Sequence, residues 1–193
     1  MSSIKLTADS GGGTFELKAP SSSGNTRVLT LPDTGNYILG GKILQVESVT
    51  LNSPVSATAG GTTVYADIAG MSITITPAAS TSKMLISCHL NFSNSVTARN
   101  DFIKLVKDGS DVSAATGTQG ASGKNGLFYC RVGTTNEVRN HAMMHLDTAG
   151  GTSAITYKLQ WSGEASGVRY LNRRGDSTSH GAVSSFTVME VAA

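Results

Sequence analysis

The chain has 193 residues and a mass of 19.9 kDa, which corresponds to one domain, or to one domain with an appendage. Gly, Ser and Thr number 22, 25 and 22, about a third of the chain, a composition that favours turns and strands over long helices. Charged residues make up only 15% and the net charge is +2, which excludes a highly charged disordered tail. The basic residues are scattered apart from Arg173 and Arg174, so no nucleic-acid partner is expected.

The same composition argues against membrane and disulfide classes. No apolar run approaches the length needed to span a membrane, so membrane insertion is not expected. The residues that follow Met1 lack the apolar stretch of a secretory signal. Two cysteines are too few for a disulfide framework.

Residues 1–40 differ from the rest of the chain and are predicted to form a short N-terminal β arm. Segments 14–18 and 26–31 have strand composition, and each is followed closely by a proline, Pro20 and Pro32. Two short strands cannot bury a core of their own. The arm is therefore expected to pack against the main domain, against sister chains or against another protein.

Residues 41–193 are predicted to form an all-β domain, because apolar residues alternate with polar ones along many short segments. The alternation is clearest at 83–92 and 155–161. Predicted strands cover 43–51, 62–68, 71–76, 83–92, 101–107, 127–132, 138–146, 155–161, 168–171 and 183–191. Segment 101–107 has a helical alternative of about two turns, and strand is preferred there. The number and spacing of the strands are typical of an antiparallel β-sandwich or jelly roll.

Few residues suggest catalytic or metal chemistry. His141 and His145 share one side of a strand, but no third ligand stands at a spacing typical of zinc, and no metal is predicted. Cys88 and Cys130 are expected to be small core residues, and their spacing does not establish whether they are bonded. Most acidic residues fall at turns, as in the pair Asp108-Gly109. No glycine-rich segment has the pattern of a phosphate loop, so no cofactor is predicted.

One late cluster combines an aromatic residue, an amide and basic residues, and it is the candidate for recognition by a distal loop. It consists of Tyr170, Asn172, Arg173 and Arg174, with Arg169 beside them. Such a set suits contact with an acidic glycan, while the alternative is ordinary solvated loop charge. Loops at 93–100, 110–126 and 172–182 are the other candidates, because loops on a rigid scaffold commonly carry recognition.

Several segments, in order along nearly the whole chain, resemble virion fibre-type proteins of tailed bacteriophages, particularly phages of aquatic bacteria. These segments are 12–20 with 29–33, 41–46, 73–77 with 82–86, 157–161 with 170–173, and 184–191. The resemblance implies a jelly-roll sandwich over 41–193, a homotrimer, and an attachment segment over 1–40. It carries no catalytic residues, so the chain is not expected to be an enzyme.

On this resemblance the chain is expected to be a structural protein of the virion, made in the host cytoplasm. The residues expected to attach it to other tail, portal-proximal or capsid proteins are Phe15, Leu17, Leu29, Leu31 and Pro32. A host surface glycan is the expected partner at the distal loops. Because the chain lacks the long shaft of most host-binding fibres, a capsid decoration or cement protein is the alternative. A carbohydrate-active enzyme is the third hypothesis.

Overall fold

A computed structural model describes residues 3–7, 14–18, 42–61, 65–118, 125–135 and 137–193. The chain divides into two compact units, residues 1–39 and 40–193. In the first unit, strand β1 (Ser3–Thr7) pairs antiparallel with β2 (Thr14–Lys18). The strand predicted at 14–18 is present, whereas β1 has no counterpart in the prediction. The strand predicted at 26–31 lies outside the described residues.

The second unit consists of two antiparallel sheets. The first sheet contains β3 (Ile43–Leu51), β4 (Val55–Ala59), β6 (Lys83–Asn94), β10 (Arg139–Thr148), β12 (Gly167–Leu171) and β13 (Ser184–Val191). The second sheet contains β5 (Ala66–Ile75), β7 (Arg99–Lys107), β8 (Ser110–Asp111), β9 (Phe128–Val132) and β11 (Ile155–Gly163). Within the described ranges the only other regular element is a 3₁₀ turn at Ser113–Ala115, and no helix could span a membrane.

The connectivity is that of a jelly roll. The long strands of the first sheet lie in the order β3-β13-β6-β10, and those of the second lie in the order β5-β11-β7-β9. Both orders place strands that are distant in sequence side by side, as two interlocked Greek keys require. The predicted all-β, antiparallel sandwich of jelly-roll type is confirmed.

The core forms where the inner faces of the two sheets meet. Strand β6 contributes Met84, Ile86, Leu90 and Phe92, all fully buried, and alternating residues of β11 do the same from the opposite sheet. The ring of Phe92 meets the ring of Trp161 edge-on, with centroids 6.3 Å apart. The period-two alternation in the sequence therefore identified the inward-facing positions correctly.

Segment 101–107 is a strand, β7, and the helical alternative is wrong. The strand pairs with β11 and β9, and its inward residues Ile103 and Leu105 are fully buried. A tight turn at Asp108 and Gly109, with φ of 48° and 83°, joins it to β8. Two consecutive positive φ values are typical of the turn that best matches the twist of paired strands.

The structure departs from the prediction around residues 55–75. Gly70 was expected to separate two strands, but β5 runs through it without a break. The glycine has a φ of +78°, and a Cβ there would lie 2.7 Å from Cδ2 of Leu51. The residue therefore serves the close approach of Leu51 and does not end the strand. Strand β4 was not predicted; it is short and pairs with β12.

Candidate functional site

The predicted recognition loop follows β12 and contains two arginines with different partners. The guanidinium carbon of Arg173 lies 4.5 Å from the centroid of the half-buried Tyr170 ring, and its Nε donates to the carbonyl of Arg174. The guanidinium of Arg174 donates two hydrogen bonds to Asp176, at 3.0 and 2.8 Å. The structure thus brings Tyr170, Arg173 and Arg174 together, with Arg174 already paired to a carboxylate.

Asn172 does not belong to an exposed recognition surface, because its side chain is completely buried. Its Nδ2 donates to the carbonyls of Leu51, at 2.8 Å, and Ser53, at 3.2 Å, while its Oδ1 accepts from Ser184 at 2.6 Å. Its φ of +63° is one that asparagine tolerates better than most residues. Asn172 therefore fixes the loop from within.

Arg169 is also buried, which corrects its interpretation as a solvated loop cation. It lies on β12 in the first sheet, and its Nη2 is 2.8 Å from Oδ1 of Asp101 on β7 in the second sheet. Asn94 completes the cluster with a hydrogen bond to the other oxygen of Asp101. Burial raises the pKa of Asp101, and the charge and hydrogen bonds of Arg169 act in the opposite direction. This charge pair links the two sheets.

Other carboxylates also have structural partners. Asp147 accepts from Nζ of Lys107 at 2.9 Å and from the hydroxyl of Tyr157 at 2.8 Å. Burial acts to raise the pKa of Asp147, but these bonds outweigh it, and the pKa is lowered. Buried Glu190 accepts from Nε2 of Gln45 and from the backbone N–H of residue 78. These groups hold strands and turns together.

The paired histidines lie on the inner side of β10, at the border of the core. The His141 ring stacks on Phe128 with centroids 4.7 Å apart, and burial lowers its pKa. Within the part of the chain that the structure describes, Nε2 of both His141 and His145 is buried without a hydrogen-bond partner. Among those residues no group of three or more His, Cys, Asp and Glu side chains is placed to hold a metal ion.

The two cysteines are free and buried, in accord with their interpretation as core residues. Burial raises the pKa of Cys88 and of Cys130 to about 12 in each case. Such thiols are not ionised at neutral pH and are poor nucleophiles.

The predicted attachment residues lie in the first unit. Phe15 and Leu17 are on β2, opposite Leu6 and Ile4 of β1. Leu29, Leu31 and Pro32 lie outside the described residues. The attachment role stays a prediction.

The outer face of the second sheet carries polar and charged side chains that engage one another, beside the aromatic pair Phe102 and Tyr129. Lys158 pairs with Asp67 at 3.1 Å, and Lys104 pairs with Asp111 at 2.6 Å. Thr74 shares a hydrogen bond with the hydroxyl of Thr156 across the β5–β11 pair. This face has the character expected of a surface in water.

The outer face of the first sheet is different, and it was not predicted from the sequence. Four apolar residues on four adjacent strands are direct cross-strand neighbours: Val46 on β3, Met189 on β13, Leu85 on β6 and Leu146 on β10. We call this set the apolar row. Val46 is 52% exposed and Leu146 is 56% exposed. In the sequence, the apolar row is indicated by apolar residues at outward positions of strands whose inward positions are also apolar.

Comparison with known proteins gives a distant structural likeness. No family model matches this chain. No curated protein matches it either. The chain is similar to the VP2 subviral particle of infectious bursal disease virus, with 20% identity over 77% of this chain and 38% of that one, at a TM-score of 0.34. It is also similar to the infectious bursal disease virus Gx strain structure, with 14% identity over 97% of this chain and 45% of that one, at a TM-score of 0.36. The chain therefore spans less than half the length of either.

Proposed function

We propose that this chain is a structural virion protein of a tailed phage, a homotrimeric fibre or appendage anchored through residues 1–40. The observation that carries the proposal is the two-part build, in which Met1–Leu39, with the strand pair β1–β2, forms one compact unit and Gly40–Ala193 forms the other. A two-stranded antiparallel pair is marginally stable in water, so it gains stability by pairing with another surface. The ordered resemblance to phage fibre-type proteins supports the same assignment.

The engagement of the carboxylates supports a structural role over an enzymatic one. Asp101, Asp147 and Glu190 each accept hydrogen bonds from side chains or backbone of neighbouring strands and turns. A glycosidase requires two carboxyls held at a defined separation and facing a substrate. We therefore propose that the chain is a structural component of the virion and not a catalyst. Release of oligosaccharides from host polysaccharide by the purified protein would contradict this.

A capsid decoration protein is the second candidate. It is favoured by the size of the sandwich unit, Gly40–Ala193, which makes up most of the given sequence. Immunogold labelling of particles separates the two candidates, because a fibre or appendage is labelled at the tail and a decoration protein over the shell.

Contact with the host, if the protein is a fibre, is proposed at Tyr170 near the end of β12 and at Arg173 and Arg174 in the loop that follows. The loop leaves β12 and is held from within by Asn172. An aromatic ring beside a guanidinium offers a stacking surface and hydrogen-bond donors for an acidic sugar. Glycan-array binding that is lost in Arg173→Ala and kept in Lys158→Ala, on the second sheet, would support this site.

The attachment role is tested by incorporation into particles. Deletion of residues 1–40 is expected to leave a folded, soluble oligomer that no longer joins the virion. A finer pair of variants uses β2, in whose sequence the charged Glu16 stands between the apolar Phe15 and Leu17. Phe15→Asp combined with Leu17→Asp is expected to abolish incorporation, and Glu16→Gln to leave it intact. Normal incorporation of the deletion would contradict the proposal.

A further inference from the structure

We propose that the outer face of the first sheet, centred on the apolar row, is the contact surface between copies of this chain. The inference rests on the proposed homotrimer and gives it a location.

The apolar row crosses four adjacent strands without a polar interruption. Met189 pairs with Val46 on one side and with Leu85 on the other, and Leu85 pairs with Leu146. Directly paired residues of an antiparallel sheet point to the same side, with Cβ atoms about 4.5–5.5 Å apart. The row is therefore continuous, and its two ends, Val46 and Leu146, are each more than half exposed.

Further exposed apolar residues lie beside the row. Met144 lies opposite Ser87 of β6, two residues before Leu146 on β10, and is 69% exposed. Ile43, opposite Val191 near the beginning of β3, is 56% exposed. Single apolar residues on a surface are ordinary, but a contiguous patch marks an interaction site.

The charge of this face suits its burial against neighbouring copies of the chain. Across the four strands, all within the described ranges, Lys83 is the one residue with a formal charge on the outer side, and it donates to the hydroxyl of Thr148. Two copies can therefore approach without setting like charges against each other. The outer face of the second sheet carries Asp67, Lys158 and Lys104. Self-association through that face would set like charges against each other, which costs free energy.

The face is large enough for a specific contact. Four strands spaced about 4.8 Å apart, paired over about eight residues at about 3.4 Å each, give about 500 Å² of flat area per copy. In the proposed trimer three such faces turn toward a common axis, so the three copies together bury about 1,500 Å² of flat area, which is in the range of specific interfaces. The size, the neutrality and the apolar row together point to a second copy of the chain as the occupant.

The test is the solution mass of the full-length protein, measured by light scattering after size-exclusion chromatography. Wild type is expected at about three times the 19.9 kDa mass of one chain. The variant with Val46→Lys and Leu146→Lys is expected at the mass of one chain, with an unchanged far-ultraviolet circular dichroism spectrum. The matched control, Ser72→Lys with Thr74→Lys on the outer face of the second sheet, is expected to keep the wild-type mass.

The outcomes separate this inference from the proposed function. A monomeric wild type would overturn both the homotrimer and this surface, and would leave the face to a different partner. A wild-type oligomer whose mass the Val46→Lys, Leu146→Lys variant retains would overturn the surface alone.

A second measurement does not depend on how well the lysine variant folds. In a Met144→Cys protein the new thiol is expected to be covered in the assembled chains, whereas the thiol of a Thr74→Cys protein is not. When about 90% of the chains are assembled, the Met144→Cys thiol is therefore expected to react with a maleimide about tenfold more slowly. Equal rates for the two thiols would contradict the proposal.

Discussion

Replacing Arg169 with methionine tests how strongly a buried charge pair ties the two sheets together. Arg169 donates to Asp101 through Nε at 2.9 Å, and through its Nη atoms to the carbonyls of Ala59, Gly167 and Ala165. Methionine has a similar length and no donor. The variant therefore leaves a buried carboxylate without its cation and three backbone carbonyls without this donor.

The expected loss is about 3–5 kcal/mol, because removing one partner of a buried pair leaves an uncompensated buried charge. That is a large fraction of the about 5–15 kcal/mol by which a domain is usually stable. The matched control is Lys158→Met. It breaks a largely exposed pair with Asp67 and is expected to cost about 0–1 kcal/mol.

The assay is urea unfolding followed by the fluorescence of Trp161, which is fully buried and is the sole tryptophan of the chain. Replacing both partners, Arg169→Met with Asp101→Leu, is expected to recover much of the loss, because an apolar pair has no charge to desolvate. A loss below about 1 kcal/mol in the single variant would refute the reasoning.

The single variant also has a pH signature. Burial raises the pKa of Asp101 above its usual value, and loss of the cation raises it further. Between the unfolded and the folded pKa the folded state then binds more protons, so stability falls as pH rises. The variant is therefore expected to be destabilised less at about pH 5 than at about pH 8, and the opposite trend would contradict the assignment.

Three further predictions concern single groups. Because the pKa of Asp147 is lowered in the folded protein, its stabilising contribution is lost as pH falls below about 4. Lys107→Met is expected to flatten the dependence of thermal stability on pH in that range, and an unchanged slope of stability against pH would contradict this. Asn172→Ala is expected to cost about 2 kcal/mol in urea unfolding, since buried carbonyls lose their donor, and a loss under about 0.5 kcal/mol would show that the loop is held otherwise. Cys88 and Cys130 are expected to react with a thiol reagent only after denaturation, and stoichiometric labelling of the folded protein would contradict their burial.

Local patterns predicted the strands whose inward and outward residues differ most. Segment 83–92 alternates strictly, and its alternation alone identified Met84 and Phe92 as core residues. Gly70 was misread, because a glycine in a strand has the same sequence signature whether it ends the strand or admits a neighbouring side chain. The choice depends on Leu51, which the sequence does not place there.

Long-range pairing explains what the sequence could not show about the candidate site. Arg169 has its partner 68 positions away, so from the sequence it appeared to be a surface charge. Asn172 contacts a carbonyl 121 positions away and was assigned to the surface for the same reason. The apolar row became visible only when the strand register placed Leu85 beside Met189 and Leu146.

The most direct test of the proposed virion role is a reconstruction of particles of the proposed phage. We expect density for the sandwich as a trimer on the tail or on the shell, with residues 1–40 in contact with a neighbouring virion protein. Purified particles that contain no copy of this chain would contradict it.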